Sequence, residues 1–371
     1  MTVRKDKEKG TWIIDITNGK DPVTGKPNRI IKRNIPTRKE AIELENHLRV
    51  TQLGDTSFAS SIMTMDMLYE LVVETDKEEQ RKESYMATQE YNYNRHIKEY
   101  FAKAQIEKLT HKELKTFRSS LSDKGLSNNT VNKLMIQMKK LLDVAVKHGV
   151  LKENPCKQLK KLPVKKKKMD YWTPTEFQEF MTLFTPEEYP FQLFFKVAYL
   201  TGMRMGELLG LTWEDIDLRG DSLEVSKTLI HLTGRMVINS PKTVAGNRQI
   251  TLNHKLADEL YQWKKKQKEL LSPFVPDTEK LQVFQFVPSL MTRYIVTKKY
   301  DKVIERSSTL KRIRIHDFRH SHVALLINNG EDPYTIKERI GHASISTTLD
   351  IYGHLYPNKQ KTMSDKLDCL I

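Results

Sequence analysis

Five side chains in the second half of the sequence could share one reaction. His316 and Arg319 stand three residues apart in His-Asp-Phe-Arg-His-Ser-His (316–322), which puts both on one face of a helix. His342 follows in Gly-His-Ala-Ser (341–344), and Tyr352 comes ten residues after it. Arg204 lies upstream in Thr-Gly-Met-Arg-Met-Gly-Glu-Leu (201–208), with Glu207 placed to brace it. Guanidinium groups grip the non-bridging oxygens of a phosphodiester in pairs, and a phenol can attack phosphorus. Singly, each residue reads as an ordinary packing or ion-pairing side chain. In this order and spacing the set points to a phosphodiester held while a tyrosine attacks it.

His316, His320 and His322 also invite a metal reading. Their spacing is not the His-Glu-x-x-His of zinc enzymes, and no carboxylate cluster accompanies them. No glycine-rich loop suited to a nucleotide is present either. The expectation is no metal and no cofactor.

The order Arg204…His316-x-x-Arg319…His342…Tyr352 resembles the signature of the tyrosine recombinase/integrase family, Arg…Lys…His-x-x-Arg…His…Tyr. The resemblance is close over the C-terminal half and extends to the rest by domain order. It implies a catalytic lysine on a β-hairpin turn. Lys242, in Asn-Ser-Pro-Lys-Thr-Val-Ala-Gly-Asn (239–247) and followed by Arg248-Gln249-Ile250, fits best. Lys227, in a Ser-Lys-Thr context, competes for that place. Tyr356 competes with Tyr352, but only Tyr352 meets the family's interval from the histidine.

The roles implied are then specific. Arg204 and Arg319 hold the phosphate, and His342 donates to it. Tyr352 is the nucleophile, His316 its base, and Lys242 the acid for the leaving 5′-oxygen. The product is a 3′-phosphotyrosine that conserves the bond energy, so neither ATP nor a divalent metal is required.

The composition agrees with a polyanionic partner. The 371 residues carry a net charge of +15, an electrostatic match to nucleic acid, and suffice for two or three domains. Cys156 and Cys369 are too few for a disulfide framework and lack a metal spacing. No stretch is long and apolar enough for a membrane span.

The elements that must position these residues fall into an α+β multidomain chain. Residues 1–54 read as a small β-sheet plus helix, with strands near 11–17 and 28–35 and a helix opening at Thr37. Arg29 and Arg33 share one strand face, with Lys32 on the other. By resemblance this unit binds accessory arm-type DNA. Residues 62–158 read as four helices whose polar faces carry Lys139 and Lys140, and by resemblance this unit is the family's core-binding domain. Residues 159–170 form a basic linker in which Lys165, Lys166, Lys167 and Lys168 track phosphates. Residues 171–371 form the catalytic domain, mostly α with a small antiparallel sheet. By resemblance, the tail 360–371 docks on a neighbouring subunit or in its own domain.

The function implied is site-specific DNA recombination, the integration and excision of a phage or conjugative element. Double-stranded DNA with core and arm sites is the partner, and the chain acts as a homotetramer on it. An excision factor and a host DNA-bending protein are further candidates, and the bacterial cytoplasm is the expected location. A plasmid or chromosome-dimer resolvase would share the chemistry but usually lacks an arm-binding unit. A type IB topoisomerase would share it without a second site. A catalytically inactive DNA-binding regulator has no need for the tyrosine.

Overall fold

A computed structural model describes residues 2–6, 9–20, 27–51, 63–102, 104–164, 169–232, 235–239 and 246–353. Lys242, Lys165 to Lys168, Tyr356 and the tail 360–371 lie outside the described residues. The chain divides into two compact units, residues 1–166 and 167–371.

The first unit opens with a three-stranded antiparallel sheet, β1 (Val3–Lys5), β2 (Trp12–Lys20) and β3 (Pro27–Ile35), in the order β1-β2-β3. Alternation along β2 sends Ile14 and Ile16 to a small core shared with Ile35, and with Ala41 and Leu48 of helix α1 (Arg38–Thr51). Asp15, between them, points the other way. It accepts two hydrogen bonds from Arg29 at 2.8 and 2.7 Å, and Arg29 holds its carboxyl below the ordinary range. Thr37 accepts the Glu40 N–H at 3.2 Å and starts α1 as expected. The sequence reading missed β1, because Val3-Arg4-Lys5 is too short and charged to show a strand pattern.

A separate core lies among α2 (Met65–Glu78), α3 (Glu83–Asn92), α4 (His111–Asp123) and α5 (Asn128–Lys147). Thr64, Thr110 and Ser127 cap three of these helices with their side chains. The second of the four helices does not run unbroken to Phe101. Instead it passes through a π-helical turn, Tyr93–Ile97, before a last turn Lys98–Phe101. Tyr93, Ile97 and Phe101 are buried, while Tyr85, Tyr91 and Tyr100 stay exposed.

Two expectations change here. Lys140 turns inward, with its Nζ 2.5 Å from the buried Asp76 and 3.3 Å from the Tyr85 hydroxyl. A buried carboxylate needs a cation more than the surface does, so Lys140 is not a free phosphate contact. The expected linker also begins later. Asn132 exchanges two hydrogen bonds with the Leu162 backbone, at 2.8 and 2.9 Å, Asn128 donates to Pro163 O and Arg118 to Lys160 O. Leu159 and Leu162 pack on the helical core, so residues 159–163 are bound to it.

The second unit begins with α6 (Pro174–Thr182), capped by Thr173 and Glu176 together, then α7 (Tyr189–Thr201) and α8 (Met205–Gly210). Strands β4 (Ile216–Asp217), β5 (Ser222–Val225) and β8 (Arg248–Thr251) form one antiparallel sheet; β6 (Thr228–Leu232) and β7 (Arg235–Asn239) form a hairpin. Between β5 and β6 the strand pairing is interrupted at Ser226 and Lys227. The Lys227 side chain reaches Thr212 Oγ1 at 2.8 Å and Asp215 at 3.0 Å, and the chain leaves one sheet for the other. Helices α9 (His254–Leu271), α10 (Arg293–Ile304), α11 (Asp317–Asn328), α12 (Pro333–Ile340) and α13 (Ile345–Tyr352) complete it. Trp172, Phe180, Phe195, Tyr300 and Phe318 make one aromatic core beneath α11. No helix among the described residues is long and apolar enough to cross a membrane.

Glu188 ties α7 to α10 through Arg306 at 2.6 and 2.8 Å and Lys299 at 2.9 Å. Arg306 first, then Lys299 against the opposing effect of burial, holds its carboxyl down at about 2 from 4.5. A folded-state pKa below the unfolded value contributes stability above the unfolded pKa and loses it as pH falls through the folded one. Stability measured by urea unfolding should therefore drop between pH 4.5 and about 2. Glu188→Gln should be less stable at neutral pH, by about 2–3 kcal/mol, and should show a correspondingly shallower loss in acid.

Candidate active site

The site forms where α12 ends. Gly341 takes the left-handed conformation (φ +67°) that lets the chain turn back, a conformation glycine adopts without strain. Its N–H donates to Glu338 O and the His342 N–H to Lys337 O, both at 3.1 Å, the pairing of a Schellman motif. The last three carbonyls of this turn, at residues 339, 340 and 341, have no helical partner. Each accepts from a different arginine. Arg248 of β8 donates to Arg339 O at 2.9 Å, Arg319 of α11 to Ile340 O, and Arg204, the residue opening α8, to Gly341 O at 3.3 Å.

Arg319 is 3% exposed, and its other terminal nitrogen donates to Gly202 O at 2.8 Å. Gly202 ends α7 at φ +65°, and a Cβ there would lie 2.6 Å from the His322 ring, so no other residue fits without displacement. Burial, then the charges of Arg204 and Arg248, push the Arg319 guanidinium down to about 9, which leaves it charged at neutral pH. Glu207 is the counter-ion. It is buried, 2.7 Å from Arg204 Nη1 and 2.8 Å from Arg248 Nη2, and also accepts the Arg204 N–H. Burial raises its carboxyl, but Arg248 and Arg204 outweigh that and hold it low. The Arg204 side chain keeps 40% of its surface open to solvent.

Tyr352 ends α13 and is 2% exposed. Its hydroxyl hydrogen-bonds Nδ1 of His320, and burial pushes the phenol pKa up. On the far side of that ring, Nε2 faces the buried Asp317 carboxylate at 3.8 Å. Arg314 fixes Asp317 with contacts of 2.7, 2.8 and 3.0 Å. Burial, then His316, lowers the His320 imidazole to about 4, so the ring is neutral. His342 is half-buried. Its Nδ1 pairs with Thr348 Oγ1 at 2.9 Å, and burial and Arg319 lower it to about 4. His316 stands at the N-cap of α11 on the open side. The protein around its ring, then Arg319, lowers its pKa.

Arg204, His316, Arg319, His342 and Tyr352 are thus gathered about α11, α12 and the start of α8; Lys242 lies outside the described residues. The three histidines of 316–322 do not converge on a point. His320 turns to Tyr352, while the Nε2 of His322 takes a hydrogen bond from Arg339 at 3.1 Å. Among the described residues no group of three such side chains could hold a metal ion. The sequence reading left His320 unassigned and named Arg248 only as a marker for the lysine. One signal was available: His320 is four residues after His316, hence on the same helix face.

Comparison with known proteins agrees with this architecture. Residues 171–359 match the phage integrase family and residues 65–166 a phage integrase SAM-like domain. The ICEBs1 integrase of Bacillus subtilis is 43% identical over 376 aligned residues, covering 100% of both chains. A tyrosine recombinase XerC-like protein of Caldanaerobacter subterraneus is 27% identical over 94% of this chain and 93% of its own. Among solved structures, the Tn1549 transposon integrase in complex with a circular intermediate DNA superposes with a TM-score of 0.68. It is 21% identical, over 84% of this chain and 100% of that one, and so speaks to the fold. The chain belongs to the phage integrase family, and its enzyme class is that of the tyrosine-type site-specific recombinases.

Glu207→Ala would leave two guanidiniums without a counter-ion, one of them the buried Arg248. It should cost about 3–5 kcal/mol in urea unfolding, with Glu207→Gln less severe.

Proposed function

We propose that this recombinase integrates and excises a mobile element of the integrative conjugative type, cutting DNA through a 3′-phosphotyrosine on Tyr352. Arg204 and Arg319 receive the scissile phosphate, because each keeps N–H donors beyond those given to carbonyls and to Glu207. Charge that builds on the non-bridging oxygens is met by donors already fixed in place. His342, anchored through Nδ1 by Thr348, offers Nε2 to the same phosphate. His316, on the open side beside Arg319, is a further phosphate contact. Lys242 is the acid for the leaving 5′-oxygen. Lys227 is the weaker candidate, since Asp215 and Thr212 already hold its ammonium.

The observation that supports this reading most is the set of three arginines on consecutive carbonyls between Arg339 and Gly341, one of them still open to solvent. The relative that is 43% identical over the full length of both chains is an integrase.

Double-stranded DNA is the substrate, bound at core sites through residues 62–158 and the catalytic unit from 171 on, and at arm sites through the N-terminal sheet. A homotetramer is the working assembly on DNA; a lambda integrase of the same fold (TM-score 0.58, 15% identical, over 93% of this chain and 96% of that one) has been solved as a tetramer on a Holliday junction. Arg33 and Lys139 are exposed and free to meet phosphate, whereas Arg29 is shared with Asp15. Lys165 to Lys168 add a sequence-independent, salt-sensitive contribution. An excision factor and a host DNA-bending protein would set direction, and the host cytoplasm is where the reaction runs.

A nicked suicide substrate carrying the core site, incubated in EDTA and run on a denaturing gel, tests this. Wild type and Tyr356→Phe should give a protein–DNA adduct and Tyr352→Phe none. Arg204→Ala should slow its formation by about 10²–10³-fold. An adduct that persists in Tyr352→Phe and vanishes in Tyr356→Phe would overturn the assignment.

A further inference from the structure

We infer that His320, rather than His316, takes the phenol proton when Tyr352 attacks phosphorus. This rests on the reading of Tyr352 as nucleophile and adds the missing proton acceptor to it. The Tyr352 hydroxyl hydrogen-bonds Nδ1 of His320, and among the described residues no other hydrogen bond is made by that hydroxyl. On the opposite edge of the ring, Nε2 faces Oδ1 of Asp317 at 3.8 Å. Asp317 cannot swing away, because Arg314 holds both its oxygens and its backbone starts α11. The imidazole therefore sits between the nucleophile and a buried carboxylate, whose charge at 3.8 Å favours the imidazolium once the ring has taken the phenol proton.

Neither other histidine of the cluster is so placed. The His316 ring meets the His320 ring edge-on, with centroids 5.3 Å apart, and sits on the solvent side. His342 commits its Nδ1 to Thr348.

The proton balance closes. Tyr352 Oη bonds to phosphorus and the bond from phosphorus to the 5′-oxygen breaks. The phenol proton passes to His320 Nδ1, and Lys242 supplies one to the 5′-oxygen. In joining, a 5′-hydroxyl attacks phosphorus and returns its proton to Lys242, the bond from phosphorus to Tyr352 Oη breaks, and the leaving phenol recovers its proton from His320. In the free protein burial keeps His320 neutral, at about 4, so Nδ1 has its lone pair available while the phenol stays protonated. Transfer follows bond formation, since a phenolic oxygen bonding to phosphorus loses its hold on the proton. An arriving phosphate also adds negative charge beside the groups that face the ring, His316, Arg314, Arg319 and Asp317, and this raises the imidazole's basicity.

The test measures adduct formation on the suicide substrate by His320→Ala and His320→Asn, with core-site binding checked by gel shift. Asn can accept the phenol's hydrogen bond near the Nδ1 position but cannot take a proton. Both variants should bind DNA and form adduct about 10²–10⁴-fold more slowly. A substrate with sulfur in place of the leaving 5′-oxygen needs no acid, so it should rescue Lys242→Ala but neither His320 variant. A wild-type rate in His320→Asn, or its rescue by sulfur, would overturn the proposal while leaving Tyr352 as nucleophile. An adduct surviving in Tyr352→Phe would instead remove the reading beneath it.

Discussion

Three arginines held by three consecutive carbonyls organise this active site. The helix ending at Ile340 must leave its last carbonyls unpaired, and Arg248, Arg319 and Arg204 fill them in turn. A carbonyl satisfies an N–H without cancelling its charge. Glu207 is the one carboxylate hydrogen-bonded to this group among the described residues, so the cluster keeps a net positive charge. Carboxylates in place of the carbonyls would have fixed the arginines equally well and left no field for a phosphate. The glycines at both ends of the arrangement follow from the same constraint. Gly341 turns the chain so that these carbonyls face inward, and Gly202 brings its own carbonyl to Arg319 where a side chain would strike His322.

In the proposed reaction one helix serves both halves. Helix α11 carries Arg319, proposed to hold the phosphate, and His320 with Asp317, proposed to serve the phenol, and its Phe318 is sunk in the aromatic core with Trp172, Phe180 and Phe195. A shift of that helix would disturb grip and proton acceptor together. The Trp172 N–H donates to Ser321 Oγ at 2.9 Å, which further pins α11 to the start of the catalytic unit.

Much of this was legible in the sequence, because caps and helical spacing act within a few residues. Thr173 with Glu176, Ser127, Thr37 and the glycines at 202 and 341 mark element ends by local chemistry. Arg204, His316, Arg319, His342 and Tyr352 were recognisable from their order. Pairings across the chain were not. Asp76 and Lys140 are 64 residues apart, and nothing near Lys140 shows that it will be drawn inward. Arg29 likewise meets Asp15 only once the strands align. The π turn at Tyr93–Ile97 lies in a stretch that buries Tyr93, Ile97 and Phe101 in the helical core, contacts that only the tertiary fold supplies. His320 escaped assignment because its partner, Tyr352, is brought to it by α13 and not by spacing.

The central claim is that the Tyr352 phenol, beside this arginine cluster, carries the broken strand. Mass spectrometry of the trypsin- and nuclease-digested adduct tests it most directly. The account predicts a nucleotide remnant linked through its 3′-phosphate to the peptide containing Tyr352. A remnant on Tyr356, or one linked through a 5′-phosphate, would contradict it.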